Sequence, residues 1–62
     1  MDINTLLVLF MDHMDLMGSG LMAKGIGHTS ISKVERWKKD SFIPISERER
    51  VIGFLKSEGV IK

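Results

Sequence analysis

The chain has 62 residues, one small domain of a size that buries only about 60% of the surface its unfolded form exposes. It has no cysteine, which excludes disulfides and thiolate metal sites, and only two histidines, too few for a zinc cage without carboxylates. A hydrophobic content of 44% and a single proline speak against disorder, and so small a chain hardly holds a catalytic cleft with its supporting shell, so a binding module is expected.

The net charge of +1 conceals two unlike segments. Residues 1–23 carry Asp2, Asp12 and Asp15 and no Lys or Arg. Residues 24–62 hold all nine basic residues against Glu35, Asp40, Glu47, Glu49 and Glu58. Between 24 and 39, Lys24, Lys33, Arg36, Lys38 and Lys39 face only Glu35. Such a segment suits a polyanion, because each neutralised phosphate releases counterions. A solvated helix face would have the same composition.

The first predicted element is a helix over Ile3 to Met17, with Asp2 or Asn4 as N-cap and Gly18 as a left-handed stop. Leu6, Leu7, Phe10, Met14 and Met17 share one stripe. Val8, Leu9, Met11 and Leu16 lie off it, so the apolar surface wraps much of the helix. A helix of that kind is central in its domain or buried in a partner. Its apolar run is broken at Asp12, short of the roughly 20 residues a membrane span needs. Asp2 stands where a secretory signal would be basic, so a cytoplasmic protein without membrane association is expected.

Gly18-Ser19-Gly20 breaks the chain, and Ser19 is placed to cap a short second helix over Leu21 to Lys24. Gly25-Ile26-Gly27 then reads as a turn. A third helix runs from Ile31 to about Lys39, capped by Thr29 or Ser30. Its inner stripe is Ile31, Val34 and Trp37, and its outer face Ser32, Lys33, Arg36 and Lys39. Residues 41–45 read as extended, since Pro44 disfavours helix at Ile43. Ser46-Glu47-Arg48-Glu49 has the form of a capping box opening a fourth helix. That helix buries Val51, Ile52, Phe54 and Leu55, closes near Gly59, and leaves Val60-Ile61-Lys62 as a short tail. The fold class that follows is all-α: one domain, 1–62, a compact bundle of about four short helices.

The second helix, glycine turn and third helix have the layout of a helix-turn-helix. Ala23 is small where two helices cross, Gly27 reverses the chain, and Val34 and Trp37 anchor the third helix. Its opposite face is then free for a major groove. Thr29, Ser30, Ser32 and Lys33 would meet base edges, and Arg36, Lys38 and Lys39 phosphates.

The string Ser32-Lys33-Val34-Glu35-Arg36-Trp37-Lys38-Lys39-Asp40, followed by Phe42-Ile43-Pro44, resembles the recognition-helix region of CII-type activators of lambdoid phages. Those carry a Ser-x-Ile-x-Arg-Trp-Lys-Arg-Asp run leading into an Ile-Pro turn. More loosely, the chain is similar to Cro-like and other small phage helix-turn-helix regulators. The likeness covers roughly residues 20–45. It implies an all-helical domain that binds operator DNA as an oligomer, with Ser32, Lys33 and Arg36 on the contacting face. The spacing from Gly27 to Trp37 is one residue longer than in that family, and so is the connection from Asp40 to Pro44. The family's C-terminal tail is missing, and the apolar first helix has no clear equivalent there.

The expectation is a phage-type transcriptional regulator of double-stranded DNA, repressor-like, without cofactor, metal or catalytic residues. A homodimer would form through Leu6, Val8, Leu9, Phe10 and Met14 of the first helix, or through helix four. The alternative is a protein-binding module, such as a phage-encoded inhibitor, that offers its Met-rich first helix to a host protein. Trp37 and most methionines read as core. Asp12, His13 and Asp15 read as a polar edge rather than a metal site, and His28 as a local hydrogen-bonder at the turn.

Overall fold

The first helix, α1, spans Ile3–Met17, and its N-terminus is fixed as its sequence suggests: the Asp2 carboxylate accepts the Thr5 N–H at 3.4 Å. The computed structural model describes every residue except His28 and Lys62, so the expectation for His28 lies outside the described residues. Leu6, Phe10 and Met14 are buried, and Ile3, Leu7, Leu9, Met11 and Met17 pack half-buried against them. The face turned away carries Asn4, Thr5, Asp12 and Asp15, with Val8 and Leu16 at 58% and 83% exposure. The helix is therefore less evenly apolar in its setting than in its sequence.

Gly18 ends α1 and starts α2, and the chain bends there by 120°. Its φ of +86° is positive, but its ψ of 158° belongs to the extended region open only to glycine, not to the left-handed helical stop expected. The second helix is longer than predicted: α2 runs Ser19–Ile26, so Ser19 lies inside it and is not its cap. Gly25 and Ile26 belong to this helix, not to a turn. The extra turn buries Ile26 beside Met22 and Ala23. Only Gly27, at φ +79°, breaks the helical path.

Helix α3, Ile31–Asp40, begins at Ser30, whose hydroxyl accepts the Lys33 N–H at 3.2 Å. Replacing Ser30 with alanine should leave that donor unpaired and cost about 1 kcal/mol. Thermal melting followed by circular dichroism should show a midpoint lower by roughly 4–8 °C for a domain of this length. Val34 and Trp37 are buried, Trp37 with its ring centroid 6.2 Å from that of Phe10. At the other end Ser41 adopts the left-handed conformation at φ 51°. That lets the Phe42 N–H reach the Trp37 carbonyl at 3.1 Å, closing the helix end.

The expected capping box does not form. Helix α4 spans Ile45–Ser57, its N-cap position is Pro44, and no side chain caps it. Ser46 sits one residue inside the helix. The start is set from outside the motif: Ile43 is fully buried, and Arg48 Nε donates to the Ile43 carbonyl at 2.9 Å. Those two interactions hold the connection down, and the helix starts two residues earlier than the motif would place it. Val51, Phe54 and Leu55 complete the core, and Ile52 is half-buried. Beyond Gly59 the Val60 N–H returns to the Leu55 carbonyl at 2.9 Å, and Val60 and Ile61 pack on the core.

The architecture is all-α. Helix α2 is its centre and packs against α1, α3 and α4. A radius of gyration of 10.1 Å matches a closed core for this length. Among the described residues, no helix is long and apolar enough to cross a membrane.

Candidate nucleic-acid interface

Helix α3 is held by one narrow face. Val34 is fully buried and Trp37 is 5% exposed, while Ser32, Lys33, Glu35, Arg36, Lys39 and Asp40 all face outward. Because α3 rests mainly on α2, most of its circumference is open. The start of α3 lies next to the start of α2, where Ile31 Cδ1 would lie 3.8 Å from a Cβ at Gly20.

The residues expected to meet nucleic acid separate into two groups. Ser32, Lys33, Arg36 and Lys39 are exposed, and among the described residues Lys33, Arg36 and Lys39 make no ion pair. The other three are less available. Thr29 is half-buried, and its hydroxyl is shielded from solvent without a hydrogen-bond partner among the described residues. Ser30 spends its oxygen on the helix cap. Lys38 Nζ donates to Asp15 Oδ1 at 2.6 Å, which ties α3 to α1 and offsets its charge. A surface pair of this kind contributes at most about 1 kcal/mol, so a polyanion could still compete for Lys38.

Ile31, expected in the core, is 50% exposed. Steps of three residues fall about 60° short of a full turn. Ile31 and Trp37 therefore cannot both centre on the face that Val34 occupies.

A depression of about 340 Å³ opens along α3 toward the start of α4. Lys33, Arg36, Trp37 and Pro44 line it, and Asp40 and Glu47 add negative charge. Glu47 Oε2 lies 3.9 Å from Arg50 Nη1, within ion-pair range but beyond hydrogen-bond reach. This mixture of signs fits neither a free phosphate nor a metal ion. Arg48 is a residue the sequence did not single out. Its guanidinium lies 5.8 Å from the centre of the Phe42 ring while its Nε holds Ile43, so it serves the connection and not the open basic face.

On α1, Asp12 and Asp15 are exposed, and half-buried His13 reaches Glu58 at 3.3 Å and the Phe54 ring at 6.0 Å between centres. Among the described residues no group of acidic residues and histidines has the arrangement of a metal site. Of the side chains expected to join two copies, Leu6, Phe10 and Met14 are 1%, 0% and 6% exposed within a single chain. Leu9 is half-buried, so Val8 alone of that set stands at the surface. Leu9 and Met11, part of the apolar surface that suggests a host-protein ligand, turn likewise toward the core.

Compared with known proteins, the chain matches no family model, no curated protein and no solved structure.

Proposed function

We propose that this chain is a sequence-specific regulator of double-stranded DNA, repressor-like, that lays α3 in the major groove as the second helix of a helix-turn-helix. The observation that carries this reading is the outward face of α3. Lys33, Arg36 and Lys39 stand exposed and unpaired among the described residues, on a helix anchored by Val34 and Trp37. The likeness of residues 32–44 to phage regulators supports the same reading. Ser32 and Lys33, near the helix start, would face base edges, and Arg36 and Lys39 phosphates. Lys38 joins them when Asp15 releases it.

A homodimer would supply the affinity and symmetry that one ten-residue helix lacks. Two half-sites would then lie about 34 Å apart or at multiples of that distance.

Selection of binding sites from random duplexes at moderate salt tests this directly. A palindromic site, with affinity that falls linearly in log–log salt titration, is the expected result. Failure to bind any duplex at low ionic strength, where the electrostatic contribution is greatest, would end the proposal.

A further inference from the structure

Helix α3 places a single apolar residue on an otherwise polar surface. Of its apolar residues, Val34 and Trp37 are buried, whereas Ile31 is half exposed at the first helical position. Ser32 and Lys33 follow it, Glu35 lies one turn further on, and all three are exposed. Nothing in the core requires an isoleucine there. On the α2 side its neighbour is Gly20, which has no side chain to cover it; a Cβ added there would meet Ile31 Cδ1 in ordinary contact, at 3.8 Å. A longer side chain at residue 20 would screen Ile31 from an approaching molecule.

The surroundings restrict what could cover this side chain. The exposed cations of α3 select a polyanion, and in the helix-turn-helix arrangement the N-terminal residues of the second helix go deepest into the groove. Base edges in the major groove are nearly all hydrogen-bond donors and acceptors. Their apolar group is the C5-methyl of thymine. An aliphatic side chain at the exposed first position of the helix matches that methyl, and it finds no such apolar group on guanine, cytosine or adenine.

We infer that Ile31 is a specificity-determining residue that packs on a thymine methyl group in each half-site. This rests on the duplex-binding reading above and goes further by naming the residue and the base atom. Because Ile31 is half exposed and precedes the buried stripe, Ile31→Ala leaves the fold in place, which circular dichroism of the variant checks.

The test uses the full chain and the duplex recovered by site selection, with each thymine replaced in turn by deoxyuridine, which lacks only the methyl. Fluorescence anisotropy at fixed salt measures the affinities. For the wild type, one thymine per half-site should be sensitive, with binding weakened roughly fourfold, the worth of one buried methyl. Ile31→Ala should bind the thymine and deoxyuridine duplexes equally well. Wild-type binding indifferent to every deoxyuridine, a selected site without thymine, or full methyl discrimination retained by Ile31→Ala would each overturn the inference while DNA binding itself stood. Absence of binding to any duplex would overturn both.

Discussion

Gly25→Ala should destabilise the chain by about 1–3 kcal/mol, the usual cost of forcing an extra carbon into a filled core. A Cβ at residue 25 would overlap the Phe54 ring, with Cδ1 and Cζ only 2.6 and 2.8 Å away and Cε1 closer still. The ring has little freedom to retreat, since Phe54 is 8% exposed and His13 lies against it. In thermal melts the midpoint should fall by roughly 5–20 °C. The sign is informative because alanine ordinarily favours a helix interior over glycine by about 0.5–1 kcal/mol. Gly53 provides the comparison. It lies inside α4, is exposed, and has no atom within 4 Å of an added Cβ, so Gly53→Ala should raise the melting midpoint. Two glycine-to-alanine changes in helices should thus act in opposite directions. Equal effects would mean that α2 and α4 do not approach each other at Gly25 as described.

Replacing Lys33 and Arg36 together with alanine should weaken duplex binding by about 100-fold or more, since each base or phosphate interaction of this kind is worth roughly 1–3 kcal/mol. The salt dependence should become shallower, by close to one in the log–log slope for each phosphate left without its cation. Far-ultraviolet circular dichroism should be unchanged, because both side chains are exposed and neither forms an ion pair among the described residues. Lys56→Ala, an exposed cation on α4, separates this from a general reduction of positive charge and should leave affinity nearly unaltered. Normal binding by the double variant would remove α3 from the interface.

Much of this was visible in the residue order. The bounds of α1, its Asp2 cap, the Ser30 cap of α3 and the buried pair Val34 and Trp37 all follow from local chemistry: side-chain oxygens that satisfy free N–H groups, and apolar spacing near 3.6. The outward position of Ser32, Lys33, Arg36 and Lys39 follows from the same spacing. The misreadings share one cause. Ser46 and Glu49 satisfy a local capping pattern, yet the burial of Ile43 and its bond from Arg48 set the helix start. Gly25 looks like punctuation, but its role depends on Phe54, twenty-nine residues away in the chain. Thr29 and Lys38 have the right chemistry for DNA, but the Thr29 hydroxyl is shielded from solvent and Asp15 engages the Lys38 side chain.

Length raised the question of what could complete so small a core. By itself the sequence determined that the chain is helical, that its first third is acidic and apolar, and that its basic residues gather around α3, because composition and periodicity are local properties of the chain. Tertiary structure alone decided how the apolar residues are distributed between inside and outside. Met22, Ile26 and Ile43 close the core from α2 and the connection, and Leu6, Phe10 and Met14 are consumed there. The same packing turned Ile31 outward. Burial depends on which helices meet and at what angle, and that relation joins residues far apart in the chain.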